Sequence, residues 1–223
     1  MYSDPSKIRR VTSIGAGPIG AGWAAHFLAR GYDVTAYLHD SSETKAFNLI
    51  LKTAWFSLTK LGLAEGASLA RLSIVTDLET ALDNADFVQE SAPERLNIKQ
   101  DLYKKMGDIL PESVVIGSST SGLTMTEIQA SCASPERCVI GHPFNPPYLL
   151  PLVEIVGGDK TAIEAVSWAG KFYEIAGKAP LIMKKEIPGF VATRLQEALW
   201  REALHMVANG EATPKDIDIA LMN

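Results

Sequence analysis

Cysteine is scarce in this chain, whose 223 residues include only two, Cys132 and Cys138. They stand six positions apart, with no second pair and no histidines at the spacing of zinc ligands. A zinc site or a disulfide framework needs more such residues than these. The sequence therefore predicts two ordinary thiols and no metal site.

Long apolar runs and an excess of positive charge are missing too. No apolar run approaches the roughly 20 residues that cross a bilayer, and the amino-terminal residues contain no apolar signal segment. Lysine and arginine total 21 against 26 acids, for a net charge of −5, which argues against a broad phosphate-binding surface. These absences predict a cytoplasmic protein with no membrane or nucleic-acid partner, and they remain compatible with short anions bound by backbone amides.

The first 185 residues alternate short β-rich runs with helical patterns. This alternation is typical of a parallel sheet covered by helices on both faces. Helices are predicted at residues 21–29, 43–61, 96–110 and 161–176. Strands rich in Val, Ile and aromatic residues are predicted at residues 11–14, 34–37, 72–75, 87–89, 114–117, 138–140, 152–156 and 179–183.

The composition changes at the segment Glu186-Ile187-Pro188-Gly189. Residues 190–207 then show one amphipathic helical pattern that Asn209-Gly210 ends, and Thr213-Pro214 supplies the cap and first-turn proline of another helix. We therefore predict an α/β domain at residues 1–186 with a doubly wound, mostly parallel sheet. Residues 187–223 are interpreted as the beginning of an all-helical domain that is truncated in this chain.

A glycine motif with the spacing G-x-G-x-x-G follows the first predicted strand and opens a helix. The first glycine allows a tight turn, the second lets a pyrophosphate approach the backbone, and the third lets the helix pack on the strand. The helix amino terminus attracts the phosphates. This context favours a Rossmann-type dinucleotide-binding domain over a glycine turn that serves packing alone. The predicted cofactor contacts come from Gly15, Gly17, Pro18, Ile19 and Gly20.

The acid that should bind the adenosine ribose is displaced in this chain. The dinucleotide fingerprint has an acid at the end of the second strand, but Leu38 occupies that position and the nearest acid is Asp40. Asp40 is the candidate ribose ligand, and its alternative role is that of a turn acid. No Arg or Lys occurs at residues 38–44 to bind a 2′-phosphate, so NAD is favoured over NADP.

A second candidate site combines His142 with Glu154. His142 lies in the proline-rich turn of residues 141–146, just beyond a predicted strand, and Glu154 lies inside the next apolar strand. A carboxylate buried in such a strand needs a partner, and an imidazole beside it would be a general base with an orienting acid. The alternative is that Glu154 pairs with a backbone amide or Lys184, while His142 only closes a turn.

A serine-rich segment at residues 118–122 follows the preceding predicted strand. Ligands of doubly wound sheets bind beyond the carboxyl ends of the strands. The serine-rich segment and His142 are therefore expected to share one crevice with the nicotinamide.

These motifs together resemble the 3-hydroxyacyl-CoA dehydrogenase superfamily over essentially the whole chain. The most specific segments are residues 89–95 (QESAPER), 117–123 (GSSTSGL), 141–154 (GHPFNPPYLLPLVE) and 198–204 (ALWREAL). The last of these favours the branch that oxidises carnitine over the branch that oxidises acyl-CoA thioesters.

The resemblance implies NAD-dependent oxidation of a secondary 3-hydroxyl to a ketone, with L-carnitine and 3-dehydrocarnitine as the expected substrate pair. It also implies that His142 removes the hydroxyl proton, that Glu154 orients the imidazole, and that Ser121 holds the substrate oxygen and approaches the nicotinamide. Glu94 and Lys99 match positions at the nicotinamide-side ribose, and their alternative role is that of solvated charges at a helix start. A homodimer formed through the helical domain is implied as well.

Two other functions remain as alternatives. A short 3-hydroxyacyl-CoA, such as 3-hydroxybutyryl-CoA, is the alternative substrate, although Thr193 stands where acyl-CoA members have an asparagine near the reacting carbonyl. A crystallin-like NAD-binding protein without turnover is the alternative of another class. The intact set of Ser121, His142 and Glu154 argues against that last function.

Overall fold

The structure is a computed structural model that describes residues 2–223. The chain divides into two units, Met1–Glu186 and Ile187–Asn223. The described part of the first unit contains one eight-stranded sheet with its helices, and the second contains two helices.

The sheet of the first unit is doubly wound. Its strands, in chain order, are β1 (Arg10–Ile14), β2 (Asp33–Tyr37), β3 (Leu72–Val75), β4 (Phe87–Glu90), β5 (Val115–Ser118), β6 (Cys138–Pro143), β7 (Leu152–Gly157) and β8 (Ala179–Ile182). Their order across the sheet is β3-β2-β1-β4-β5-β6-β7-β8. Strands β2 and β3 extend the sheet in one direction from β1, and β4 to β8 extend it in the opposite direction. All neighbours run parallel except β6 and β7, so the predicted fold class is confirmed.

The helices of the first unit connect these strands. They are α1 (Pro18–Ala29), α2 (Thr44–Leu61), α3 (Leu78–Leu82), α4 (Leu96–Ile109), α5 (Met125–Ile128) and α6 (Ile163–Ile175). The four longer helices were predicted from the sequence. Helices α3 and α5 were not, because a single turn is too short to show a period of 3.6 residues.

Helix α1 is buried on almost every side. Every residue from Gly20 to Ala29 is buried, because six glycines and alanines leave room for the large rings of Trp23 and Phe27. Phe27 stacks on Phe172 of α6 with 6.0 Å between ring centroids. The helix that opens on the glycine motif is therefore held firmly against the sheet by apolar packing.

The hairpin of β6 and β7 sets the geometry of the second candidate site. The two strands are antiparallel, and His142 pairs directly with Glu154 in their register. Strand β6 runs on to Pro143, so the prediction that places His142 in a turn beyond the strand is wrong. The added strand residues are stabilised by pairing with β7, which is a contact that local sequence does not reveal.

The second unit consists of α7 (Val191–Ala208) and α8 (Pro214–Met222). Thr213 caps α8 and Pro214 is its first residue, as the sequence predicts for that helix start. Thr213 also forms a reciprocal capping box with Asp216. Large apolar side chains of α7 are exposed, among them Leu195, Leu199, Trp200 and Leu204. None of the helices in residues 2–223 has the length and apolar character to cross a membrane.

Candidate active site

The glycine motif forms the turn between β1 and α1 beside a cavity. Gly15 has a φ of +113°, a backbone conformation that side chains other than glycine rarely adopt. A Cβ atom added to Gly17 would meet no atom within 4 Å, whereas one added to Gly20 would collide with the backbone of Gly15. Gly17 therefore leaves open space for a ligand, and Gly20 permits the close packing of helix and turn.

The cavity at this turn is large enough for a ligand. It has a volume of about 600 Å³, which lies within the ordinary range for ligand pockets. Gly17 caps α1 and Pro18 is its first residue, while Ile19 packs against the core. The amino terminus of a helix that begins at the cavity attracts a phosphate group. The cavity is lined by Ile14, Gly15, Ala16, Gly17, Tyr37, His39, Glu43, Leu78, Ser91, Ala92, Pro93, Ile98, Asp101, Leu102 and Lys105.

The end of β2 lacks an acid that faces this cavity. Leu38 is fully buried in the hydrophobic core. Asp40 is exposed, caps the short helical turn Ser41–Glu43 through a 2.8 Å bond from the Ser42 amide, and is absent from the cavity lining. Asp40 thus makes the turn contacts of its alternative role, and its predicted contact with the ribose stays a prediction. Glu43, which sequence reasoning did not select, does line the cavity.

His142 and Glu154 form a buried hydrogen-bonded pair across the β6–β7 hairpin. Nδ1 of His142 lies 2.9 Å from Oε2 of Glu154. The Glu154 side chain is 0% exposed and that of His142 is 8% exposed. The two side chains therefore meet as the sequence predicts, and the direct cross-strand register is what brings them together.

The short contact to Glu154 selects the tautomer of His142. A carboxylate accepts a hydrogen bond, so the proton on the ring occupies Nδ1. The other ring nitrogen, Nε2, then carries the lone pair that can take a proton from a ligand. A buried carboxylate also stabilises the imidazolium that proton transfer would produce.

The serine-rich segment of residues 118–122 begins at the end of β5, beside the end of β6. Ser118 of β5 is paired with Ile140 of β6, so Ser121 and His142 lie at the same edge of the sheet. Glu94 holds the segment: its Oε1 atom accepts bonds from the Thr120 hydroxyl at 2.5 Å and from the amides of Ser121 at 2.9 Å and Gly122 at 3.1 Å.

These contacts also account for the ionisation of Glu94. Partial burial by itself raises the pKa of this carboxyl, but the hydrogen bond from Thr120, the charge of Lys99 and the two amides together hold the pKa below its usual value. Glu94 is therefore ionised at neutral pH and is a strong acceptor for the segment that carries Ser121.

Lys99 lies beneath this segment. Its side chain is 1% exposed, and Nζ lies 2.6 Å from Oε1 of the buried Glu90 and 3.6 Å from Oε2 of Glu94. Oε2 of Glu90 in turn accepts a 2.6 Å bond from the Ser118 hydroxyl. Lys99 thus joins two carboxylates that support the ends of β4 and β5, and its predicted contact with a cofactor stays a prediction.

A buried polar network, which sequence reasoning missed, ties β4, β5 and β6 together near the site. Gln89 donates to the Ser119 hydroxyl at 2.8 Å and to the Gly141 carbonyl at 3.4 Å, and it accepts a 2.5 Å bond from the Tyr173 hydroxyl. Trp23 donates to Ser119 as well. Gln89 lies in an apolar strand, so the argument that singled out Glu154 would also have selected it.

A buried lysine, also missed, holds the loop that follows His142. Nζ of Lys178 donates to the carbonyls of Pro147 and, at 3.2 Å, Leu150, and it lies 5.0 Å from the ring centroid of Trp23. Burial, followed by the charge of Arg30, lowers the pKa of Lys178 to about 7. This lysine therefore fixes the loop through hydrogen bonds to its backbone.

The two thiols lie close together away from the cavity. Sγ of Cys138 donates to Sγ of Cys132 at 3.7 Å, and this bond lowers the pKa of Cys132 to about 7. Both cysteines are unpaired. The described residues contain no group of three or more His, Cys, Asp or Glu side chains able to hold a metal ion.

The sequence patterns of one family cover both units. The 3-hydroxyacyl-CoA dehydrogenase NAD binding domain matches residues 10–187, and the C-terminal domain of the same family matches residues 189–223. The chain belongs to the 3-hydroxyacyl-CoA dehydrogenase family. The predicted family resemblance is confirmed, as are NAD as the cofactor and the class of NAD-dependent dehydrogenases at the level of the family.

Relatives within this family share much of the sequence. The L-carnitine dehydrogenase of Streptomyces coelicolor is 57% identical over 98% of this chain and 69% of its own length. That of Streptomyces griseus is 56% identical over 97% of this chain and 65% of its own length. The chain therefore spans about two thirds of the length of these relatives.

Solved structures of the family share the fold. The 3-hydroxybutyryl-CoA dehydrogenase of Escherichia coli superimposes with a TM-score of 0.84 at 30% identity, over 93% of this chain and 44% of that one. Since the fold is common to enzymes named for different substrates, it does not distinguish between carnitine and an acyl-CoA thioester.

Proposed function

We propose that this protein oxidises the secondary hydroxyl of L-carnitine to the ketone 3-dehydrocarnitine with NAD. The buried pair of His142 and Glu154 carries the proposal for the reaction, because it supplies an oriented base at the carboxyl end of the sheet, where doubly wound folds bind their ligands. The identity of 57% to a relative named L-carnitine dehydrogenase supports the choice of substrate.

The proposed reaction needs one proton transfer from the substrate to the protein's own residues. Nε2 of His142 takes the hydroxyl proton, and the electron pair of that O–H bond forms the carbonyl. NAD, when bound, would supply the acceptor for the hydride that leaves the carbon bearing this hydroxyl. Glu154 stabilises the resulting imidazolium through its 2.9 Å contact with Nδ1. Ser121, held by Glu94, is assigned to bind the substrate oxygen.

The glycine turn and the strand ends near His142 are assigned to different parts of the bound cofactor. Gly15, Gly17 and Gly20 shape the turn that would receive the pyrophosphate at the start of α1. The ends of β5 and β6 would receive the nicotinamide and the substrate. The buried bonds of Gln89 and Glu90 keep these strand ends in place, so the base needs little rearrangement during the reaction.

A short 3-hydroxyacyl-CoA is the second candidate substrate. The family description and the E. coli 3-hydroxybutyryl-CoA dehydrogenase support it. Thr193 counts against it, since a threonine cannot supply the amide donor that the resemblance assigns to this position in acyl-CoA members.

The test compares substrates directly. We would measure NADH formation by the purified protein at alkaline pH with L-carnitine, D-carnitine and 3-hydroxybutyryl-CoA, and the affinity for NAD by calorimetry. We expect turnover with L-carnitine alone. Turnover with the thioester alone would replace carnitine by the second candidate, and NAD binding without turnover of any substrate would support the non-catalytic function instead.

Two further expectations concern the whole protein. The resemblance predicts a homodimer formed through the helical domain, and the exposed apolar side chains of α7 are compatible with a subunit contact. Size-exclusion chromatography with light scattering tests this expectation. The cytoplasmic location stays a prediction from the sequence.

A further inference from the structure

We propose that Glu43 binds the adenosine ribose of NAD and replaces the missing acid at the end of β2. The inference rests on the NAD binding of the proposed function and is independent of its substrate. It concerns the adenosine side of the cavity, where the buried Leu38 occupies the position of the ribose acid at the strand end.

The cavity lining limits the choice of acid. Only two carboxylates of the described residues line it, Glu43 and Asp101. Glu43 lies just after β2, the strand whose end supplies the ribose acid in the dinucleotide fingerprint. Asp101 lies on α4 at the other wall, with Lys105 one turn further along the same helix and also in the lining. Position therefore favours Glu43.

The local structure holds the Glu43 carboxylate in place. Its Oε2 atom accepts a 3.3 Å bond from the amide of Asp40, which is half of a capping box with the Asp40 side chain. Among the described residues no donor bonds its Oε1 atom. A carboxylate with an available oxygen accepts hydrogen bonds from the 2′- and 3′-hydroxyls of a ribose.

The same carboxylate would discriminate against NADP. A 2′-phosphate placed beside Glu43 would bring two negative groups together in a partly buried cavity, which is unfavourable. His39 and Lys105 also line this cavity and could donate hydrogen bonds to a 2′-phosphate. The preference for NAD over NADP would therefore depend on the repulsion between the charge of Glu43 and that phosphate.

The decisive variant is Glu43→Gln, because the one oxygen of glutamine keeps the cap to the Asp40 amide, while the charge and the second acceptor oxygen are lost. By calorimetry, we expect the Kd for NAD to rise about ten-fold and the preference for NAD over NADP to narrow at least as much. Asp40→Asn tests the acid that the sequence selected and should leave the Kd unchanged. Glu79→Gln, an exposed acid of α3, is the matched control.

A nucleotide analogue makes the assignment specific to the ribose. The wild-type protein should bind 2′-deoxy-NAD more weakly than NAD, and Glu43→Gln should bind the two equally, since the variant lacks the acceptor for that hydroxyl. An equal penalty for the deoxy analogue in both proteins would overturn the proposal. A loss of affinity in Asp101→Asn instead of Glu43→Gln would also overturn it. Because these measurements need no substrate, a failure here is distinct from a failure of carnitine oxidation.

Discussion

At the scale of single residues, the most informative contact joins His142 to Glu154. One carboxylate in an apolar strand was enough to predict a partner for it, because burying an unpaired charge is costly. The structure adds the distance of 2.9 Å and the atom, Nδ1. That atom decides which ring nitrogen can act as the base.

The first prediction concerns this pair. His142→Gln should lower kcat about 10²- to 10⁴-fold, the usual contribution of a general base, while the Kd for NAD stays nearly unchanged. Glu154→Gln should also lower kcat, because a neutral amide no longer stabilises the imidazolium. The loss should be smaller than for His142→Gln, because the amide oxygen still accepts the hydrogen bond from Nδ1–H. Steady-state kinetics and calorimetry measure both quantities.

The control for this prediction is His205→Gln, which changes an exposed histidine of α7. It should behave as the wild type in turnover and in binding. If His142→Gln lost NAD affinity to the same extent as kcat, His142 would be a structural residue and the assignment of the base would be wrong.

At the scale of elements, the sequence largely predicted where the strands and longer helices lie. It did not predict where a strand ends or which loop side chains face the cavity. The periodicity of residues 44–61 and 96–109 identifies α2 and α4 because one face of each helix is apolar. The extension of β6 to Pro143 depends on its pairing with β7. Asp40 and Glu43 are close in sequence, yet only the turn between them determines that Glu43 lines the cavity.

The second prediction concerns the segment after β5. Glu94→Gln removes the charge that accepts bonds from Thr120, Ser121 and Gly122, so this segment should become more mobile. Hydrogen exchange at the Ser121 and Gly122 amides should accelerate, and kcat should fall while amide exchange in β1 stays unchanged. The Thr120 hydroxyl can still bond the glutamine oxygen, so global unfolding should change little.

The sign of the pH effect on Glu94 follows from its lowered pKa. A carboxyl whose pKa is lower in the folded protein stabilises it above its unfolded pKa, and this contribution disappears as pH falls through the folded value. Order in the segment should therefore decrease on acidification in the wild type but not in Glu94→Gln. Equal exchange rates for the two proteins at neutral pH would contradict the role of this carboxylate.

At the scale of the whole molecule, one buried histidine links distant parts of the first unit. Nε2 of His26 in α1 lies 2.8 Å from the carbonyl of Ala176, 150 positions away at the end of α6. Burial, followed by the charge of Lys178, lowers the pKa of His26 well below its ordinary value of 6.5. His26 is therefore neutral in the folded protein and donates from Nε2.

The third prediction is a pH dependence of global stability. Below pH 6.5 the unfolded chain binds a proton at His26 that the folded protein does not, so the free energy of unfolding falls as pH falls through 6.5. This one group contributes at most about 1.4 kcal/mol per pH unit. His26→Gln should reduce the loss of stability between about pH 7 and pH 5, as measured by urea unfolding.

His205→Gln is again the matched control, since an exposed histidine should leave the slope unchanged. The comparison uses the difference in slope between variants, because carboxylates elsewhere contribute to the slope of every protein in the set. Parallel slopes for His26→Gln and the wild type would show that His26 takes up a proton without opening the fold.

The sequence by itself determined the fold class and the dinucleotide turn, and it indicated that Glu154 needs a buried partner. Each of these depends on short-range patterns: alternating elements, glycine spacing, and a charge in an apolar strand. The tertiary structure alone decided that Leu38 is buried, that Asp40 caps a turn, and that Glu43 lines the cavity. It also revealed the Gln89 and Lys178 networks. The physical reason is that a side chain's partners come from elements distant in sequence, and their identity depends on how the whole sheet is assembled.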